Sequence, residues 1–242
     1  MKGVILAGGL GTRLYPLTHA TNKHLLPVYD QPMIYYPIQT LVKAGITEVL
    51  IVTGGPYAGH FIRVLKNGKE LGLTHLEYSY QEKEGGIVEA LLLAEEFAGE
   101  DSVALILGDN TTDADITHVV SEFVDGAVIF LKEVPDPARY GVPEFDPVDP
   151  KKIVRVEEKP KEPKSNYAVT GLYLFDKNWL AFAKNCKPSG RGELEIPDIH
   201  NQYIAVGTLR WEILDGFWTD AGKFETLFIA NSYWAKKKDK TL

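Results

Sequence analysis

Three glycines within four positions, Gly8, Gly9 and Gly11, interrupt the apolar run Val4-Ile5-Leu6-Ala7, and the cations Arg13 and Lys23 follow within fifteen residues. A loop without Cβ atoms can bring its backbone N–H groups close to oxygen anions. A guanidinium then bridges phosphate oxygens bidentately, and an ammonium acts as a compact point charge. The combination suits a nucleoside triphosphate. It is not a P-loop, which places four residues between its glycines and then Lys-Ser or Lys-Thr. It is not a dinucleotide fingerprint either, because Leu14 stands where the third glycine belongs. Taken singly, Arg13 reads more simply as a surface salt bridge and Lys23 as an exposed helix or loop lysine.

Two carboxylates and an amide extend the list of residues able to do chemistry. Asp109 follows the apolar run Val103 to Leu107, where a carboxylate is costly without a partner, and Asp220 lies in Trp218-Thr219-Asp220-Ala221-Gly222. Two hard carboxylates facing a triphosphate suit Mg²⁺, which takes one or two protein oxygens together with phosphate oxygens. The blander readings are a turn-forming Asp109 ahead of Asn110 and an Asp220 that caps the helix after it. Gln81 carries the donor and acceptor that a pyrimidine edge requires, or is simply an exposed strand-end amide. His24 abuts Lys23 and reads as a neighbour. The other histidines show no metal-ligand spacing, Cys186 reads as filler, and Trp218 is a plausible wall for a site.

These residues need elements to position them. After the opening strand, Asp30-Gln31-Pro32 predicts a helix start, with Ile34, Ile38, Leu41 and Val42 at helical spacing and Gly45 as the stop. Strands are predicted at Glu48 to Thr53, residues 75 to 80 and Val103 to Leu107, with helices around Phe61 to Leu65 and from Ile87 to Phe97. The alternation predicts an α/β fold with a doubly wound, mostly parallel, Rossmann-like sheet. Gly8 to Arg13, Gln81 and Asp109 all fall at strand carboxyl ends, where such sheets bind ligands. From about residue 113 the alternation loosens. Strands are predicted at Ala127 to Lys132, Ile153 to Glu157, Val169 to Phe175 and Leu209 to Leu214, with helices at Glu195 to Val206 and Phe224 to Trp234. No linker or repeat is visible. The chain reads as one domain over 1–242, a first half (about 1–112) that carries the candidate nucleotide loop and a second half (about 113–242) of insertions that elaborate it.

The bulk composition narrows the function classes. The 242 residues are 45% hydrophobic and 24% charged, with a net charge of -7, which argues against a general nucleic-acid binder. One cysteine excludes an internal disulfide and fits a reducing compartment. No apolar run approaches the ~20 residues a membrane span needs, and no signal peptide is visible, so a cytoplasmic protein is expected. The run Lys236-Lys237-Lys238 reads as a solvated helix end.

The segment Leu6-Ala7-Gly8-Gly9-Leu10-Gly11-Thr12-Arg13-Leu14 with Lys23-His24-Leu25-Leu26-Pro27 resembles the N-terminal motif of the sugar-nucleotide nucleotidyltransferases, or pyrophosphorylases. Leu107-Gly108-Asp109-Asn110, Arg139-Tyr140-Gly141-Val142, Glu157-Glu158-Lys159-Pro160, Lys164 to Tyr173 and Arg191 to Ile196 are similar to family segments in the same order. The closest likeness is to the branch acting on glucose 1-phosphate and a thymidine nucleotide. The resemblance implies a Mg²⁺-dependent reaction of dTTP, or UTP, with glucose 1-phosphate to give dTDP-glucose and pyrophosphate.

In that reading Arg13 and Lys23 are catalytic, and Asp109 and Asp220 hold the metal. Leu6, Ala7, Gly8, Gly9, Gly11, Thr12, Gln81 and Gly86 bind the nucleotide. Asn110, Tyr140, Gly141, Glu158, Lys159 and Val169 bind the sugar phosphate. Two stretches depart from the family pattern: the charged Glu82-Lys83-Glu84-Gly85 in the base loop and Thr111-Thr112-Asp113 on the sugar side. A homo-oligomer is expected, without nucleic-acid or membrane partners. The chain is also expected to lack the C-terminal helical segment that longer members tie to an end-product site, so weak or no inhibition by dTDP-rhamnose follows. The alternative of another class is a catalytically silent nucleotide-sugar-binding regulator, whose mark would be loss of Arg13, Lys23 or the two carboxylates.

Overall fold

The apolar runs closed by glycine become strands and the amphipathic stretches become helices in the computed structural model, which describes residues 1–239. The first half contains β1 (Lys2–Ala7), the short pair β2 (Pro27–Val28) and β3 (Gln31–Pro32), α1 (Tyr35–Lys43), β4 (Glu48–Gly54), α2 (Ala58–Leu65), β5 (His75–Gln81), α3 (Ile87–Leu92), α4 (Glu95–Ala98), β6 (Val103–Leu107) and β7 (Asn110–Thr112). The second contains α5 (Thr117–Ser121), β8 (Ala127–Glu133), β9 (Gly141–Phe145), β10 (Ile153–Glu158), β11 (Tyr167–Phe175), α6 (Trp179–Asn185), α7 (Ile196–Ala205), β12 (Leu209–Ile213), β13 (Trp218–Asp220) and α8 (Phe224–Asp239).

The described residues form a nine-stranded sheet with the path β10-β9-β11-β6-β1-β4-β5, with β8 paired to β11 and to β12 off that path. Strands β6, β1, β4 and β5 are mutually parallel, as the alternation of strands and helices requires. The runs of β6, β1 and β4 are buried almost throughout, which is why they read as apolar sequence, whereas β5 at the end of the path is half exposed and mixes polar with apolar residues. Register sets Leu6 beside Val52 and Leu107, and Gly54 beside Gln81. The loops after β1, β4, β5 and β6 therefore leave the sheet side by side. Beyond β6 the sheet is mixed: β11 is antiparallel to β6 and to β8, while β12 is parallel to β8. Strand β11 ties the second half to the first within one sheet. Separately, β13 and β7 form a two-stranded ladder that sets Asp220 opposite Asn110.

Two expectations are corrected. The first helix begins at Tyr35, not at Asp30, because Gln31 and Pro32 pair with β2 and use an extended backbone. Asp30 forms an ion pair with Lys238 and caps nothing. The helix expected over Ile87 to Phe97 divides at Leu93 and Ala94 into α3 and α4. The lysine run lies exposed in the last turn of α8, as expected, and Lys237 in addition reaches Asp113, which also accepts from Tyr233 Oη and, at 2.7 Å, from Phe217 N. These contacts fasten α8 to the body, where Leu227 and Ala230 pack against Leu14, Val28 and Met33. The packing of α1 follows its sequence: Ile34, Ile38 and Leu41 are fully buried. Truncating one of them to alanine costs about 2–5 kcal/mol.

Candidate active site

A cavity of about 420 Å³ opens at the carboxyl ends of the parallel strands. From the opening loop it is lined by Leu6, Gly8, Gly9, Arg13 and Lys23; from the base loop, by Gln81 and Gly86; after β6, by Asp109 and Asn110. Its far wall holds Tyr140, Gly141, Glu158, Lys159 and Val169, and Asp220 closes it from β13. Ala7, Gly11 and Thr12 lie outside the lining. Ala7 is fully buried in β1, and Thr12 opens a 3-10 turn. Gly11 has φ 69°, and a Cβ there would sit 2.8 Å from Lys23 Cβ, so its glycine shapes the loop around the lysine stem.

The centre of the site is an ion pair. Lys23 Nζ donates to Asp109 Oδ2 at 2.6 Å, and both residues are only 9% exposed. Burial by itself pushes the Asp109 carboxyl upward. The Lys23 charge, with hydrogen bonds from Lys23 and from Asn110 Nδ2 (3.1 Å), reverses this and holds it well below the usual carboxylate range. Next to them His24 is kept neutral, its pKa pushed down to about 3 by burial and by the Lys23 charge. Its Nδ1 lies 2.7 Å from Asn22 Oδ1, which also accepts the His24 backbone N–H. The asparagine thereby holds both ring and turn, and His24 is a buried neighbour of the lysine.

Asp220 differs from Asp109. Burial raises its pKa first and the nearby negative Asp109 raises it further, against the opposing pull of Arg139. Tyr140 Oη donates to Asp220 Oδ1 at 3.2 Å, and Arg139 Nη2 lies 3.6 Å from Oδ2. Those contacts replace the capping role considered for Asp220; at the start of α8, Lys223 N is satisfied by Thr226 Oγ1 instead. The β7–β13 ladder and the bond from Ala221 N to Asp109 O (2.8 Å) bring the two acidic segments together. Just beyond, a Cβ on Gly222 would meet Asp109 Oδ2 at 3.2 Å, Arg13 Nη2 at 3.4 Å and Lys23 Nζ at 3.9 Å. Gly222 is thus the point on which the predicted cations and one predicted carboxylate converge.

The carboxylate pair fits a divalent metal. Two hard oxygen ligands, one firmly ionised and the other disfavoured as an anion by its neighbour's charge, are relieved together by a dication. Among the described residues no third acidic or histidine ligand joins them. That suits an ion whose remaining ligands are phosphate oxygens and water.

Beside Asp109, Asn110 Oδ1 accepts from Trp218 Nε1 at 2.6 Å and from Gly171 N at 3.2 Å, fixing its amide. Trp218 and Tyr140 stack edge to face at 5.5 Å. Lys159 takes a left-handed φ of 46°, which costs a non-glycine residue about 1–2 kcal/mol. Its N–H bonds Tyr140 O at 2.9 Å, and its Nζ lies 3.1 Å from Glu158 Oε1, so the strained residue joins β10 to the Tyr140 turn. In the base loop Gly86 has φ 105°, and a Cβ there would strike Leu194 O at 2.5 Å. Gln81 Oε1 lies against Gly8, 2.6 Å from the position of an ideal Cβ, so a side chain there would have to displace the Gln81 amide.

Several lining residues were not singled out from the sequence: Glu84, Arg139, Gly171, Tyr173, Glu193 and Glu195. Arg139, Gly171, Tyr173, Glu193 and Glu195 stand inside the recognised family segments, so adjacency was the available signal. Glu84 had none beyond the unusual charge of its loop.

A family model described as Nucleotidyl transferase matches residues 2–237. A glucose-1-phosphate thymidylyltransferase of Neisseria meningitidis serogroup A is 45% identical over 239 residues, covering 96% of this chain and 82% of its own length. Its counterpart in Mycolicibacterium smegmatis is 43% identical over 238 residues, with the same coverage of each chain. A crystal structure of a Bacillus anthracis protein assigned as a glucose-1-phosphate thymidylyltransferase, in complex with a sucrose, superposes with a TM-score of 0.90 at 48% identity, covering 96% of this chain and 94% of that one. A UDP-glucose pyrophosphorylase shares the fold, with a TM-score of 0.84 at 24% identity and 98% of each chain covered. The parallel strand ends, the glycine loop and the matches over nearly all of this chain lead to one assignment: the chain belongs to the nucleotidyl transferase family.

Proposed function

We propose that the protein is a glucose-1-phosphate thymidylyltransferase, converting dTTP and α-D-glucose 1-phosphate to dTDP-glucose and pyrophosphate with Mg²⁺. The observation that carries this reading is a single cavity joining the Gly8–Arg13 loop, Lys23, both carboxylates and the Tyr140–Val169 wall, in a chain 42–46% identical to enzymes of that name. The whole chain works as one domain, with the nucleotide on the parallel half and the sugar phosphate on the other. We place it in the cytoplasm as a homo-oligomer. Among the described residues no helix is long and apolar enough to cross a membrane.

An oxygen of the sugar phosphate attacks the α-phosphorus of dTTP. The new P–O bond forms as the bond to the β-phosphate breaks, and pyrophosphate leaves with the electron pair. Such transfers depend on alignment and charge neutralisation more than on proton transfer. Arg13 and Lys23 neutralise the phosphates, and Lys23 is aimed by its bond to Asp109. Mg²⁺ held by Asp109 and Asp220 together with phosphate oxygens would add positive charge where the triphosphate and its leaving group need it. The backbones of Leu6, Gly8 and Gly9 pack against base and ribose, while Gln81 and Gly86 meet the pyrimidine edge. Tyr140, Gly141 and Val169 line the hexose, with Asn110 beside them. Glu158 accepts from its hydroxyls, and Lys159 holds its phosphate.

A coupled pyrophosphate-release assay, run with dTTP and UTP against several sugar 1-phosphates, tests the proposal. Fastest turnover is expected with dTTP and glucose 1-phosphate. Thymine and uracil present the same hydrogen-bonding edge, and one methyl group is worth only ~1–3 kcal/mol, so measurable use of UTP is also expected. Absence of turnover with every pair, together with an Arg13→Ala variant that binds dTTP as well as the parent, would overturn it.

A further inference from the structure

The glycine loop meets an anion from its own chain. The N–H of Leu10, between Gly9 and Gly11, donates to Glu84 Oε1 at 2.9 Å. Glu84 lies on the loop between β5 and α3, and β4 separates β5 from β1 in the sheet. To reach Leu10 the loop crosses the end of β4, where glycine is required. A Cβ on Gly54 would strike Gln81 O at 2.9 Å, and one on Gly55 would strike Leu10 Cδ2 at 2.7 Å. Glu84 lines the same cavity as Gly8, Gly9 and Arg13, and among the described residues its carboxylate has no ion pair with a lysine, arginine or histidine. An unpaired carboxylate lying on a backbone N–H of a phosphate-type loop does there what a phosphate oxygen would do.

We propose that Glu84 is an internal competitor for the phosphate loop, which the triphosphate must displace and which returns as pyrophosphate leaves. The proposal rests on the assigned reaction. A carboxylate and a phosphate oxygen drawn to one N–H compete for it, and like charges so close repel. Binding of a polyphosphate therefore carries the loss of the Glu84 contact as part of its free energy, and the same carboxylate weakens retention of the product. Glu84 accordingly sets affinity for the polyphosphate end of the nucleotide without taking part in the bond-making step.

The test is calorimetric titration of the intact protein with inorganic pyrophosphate plus Mg²⁺, for the parent, Glu84→Gln and Glu84→Ala. Glu82→Gln serves as a control that removes the same charge from the same loop without the Leu10 contact. Both Glu84 variants are expected to bind pyrophosphate roughly tenfold more tightly, the worth of one hydrogen bond to a charged group, while Glu82→Gln changes affinity less than twofold. In steady-state assays the KM for dTTP falls by a similar factor, the KM for glucose 1-phosphate stays constant, and pyrophosphate becomes a stronger product inhibitor. Unchanged or weaker pyrophosphate binding by both Glu84 variants, with melting temperatures equal to the parent, would overturn the proposal. An equal effect from Glu82→Gln would also overturn it, by assigning the change to general loop charge. The titration does not depend on turnover, so a parent protein without activity would refute the assigned reaction and leave this measurement able to decide the contact.

Discussion

Lys23 Nζ and Asp109 Oδ2 lie 2.6 Å apart, both nearly excluded from solvent, although 86 residues separate them in the chain. The pair ends two different parallel-strand loops at one point, and each partner satisfies the other's buried charge. Removing one partner leaves the other uncompensated. Lys23→Met is therefore expected to destabilise the fold by about 3–5 kcal/mol, the range for breaking a buried pair. It should also lower kcat by roughly 10²–10³-fold through loss of charge at the phosphates. Denaturant unfolding and steady-state kinetics check both halves. The combined Lys23→Met, Asp109→Asn variant should recover part of the lost stability and none of the activity.

A Cβ on Gly222 would come within van der Waals reach of Asp109, Arg13 and Lys23, although glycine is none of the chemistry-bearing residue types. Gly222→Ala is expected to displace those groups by a few tenths of an ångström. A fall in kcat of up to roughly tenfold follows, because misplacement of about 1 Å near reacting groups costs about 10²-fold and the shift here is a fraction of that. Melting temperature should change by only a few degrees. A variant with parental kcat would show that the convergence has no catalytic consequence.

Asp220→Asn keeps the shape that Tyr140 and Arg139 grip while removing a negative charge next to Asp109. The expected outcome is a higher Mg²⁺ concentration for half-maximal rate, by at least tenfold, with little change in stability. Chelation of divalent ions should abolish turnover in the parent and be reversed by added Mg²⁺. Equal Mg²⁺ requirements in parent and variant would remove Asp220 from the metal site.

His200 is buried between Tyr173 and Phe175 with neither ring nitrogen partnered among the described residues, and burial pushes its pKa down to about 3. The unfolded ring titrates near ~6.5, so between those values the unfolded state holds the extra proton. Stability is thus fully present above about pH 6.5 and declines as pH falls, by about 1.4 kcal/mol per unit for each such histidine. His24 adds to the same slope. Unfolding of His200→Leu and parent at pH 8 and pH 5 should show the difference moving in the variant's favour by about 2 kcal/mol at the lower pH. A pH-independent difference would mean that His200 is not held neutral.

Much of this molecule is legible in its sequence because the informative signals are local. Val4 to Ala7, Glu48 to Thr53 and Val103 to Leu107 are apolar runs closed by glycine, and a strand buried on both faces reads that way whatever surrounds it. The glycine loop, the cations and the carboxylates could be named for the same reason, since residue type and spacing state what chemistry a segment can do. Where two segments competed for the same residues, local reading failed. Asp30-Gln31-Pro32 has the form of a helix start, but pairing with Pro27 and Val28 and the long-range pull of Lys238 decided otherwise. Leu93 and Ala94 suit a helix and were turned by packing.

The tertiary structure alone decided which residues meet. Strand register placed the loops after β1, β5 and β6 at one edge, and the β7–β13 ladder carried Asp220 across 110 positions to Asn110. It revealed Gly222 as the meeting point of three charged groups and Glu84 as an anion seated on the glycine loop. Neither could be read from neighbours in the chain. A contact between distant residues depends on backbone placement to within an ångström, and that is set by the packing of the whole sheet, whereas the capacity for chemistry is carried by each side chain wherever it stands.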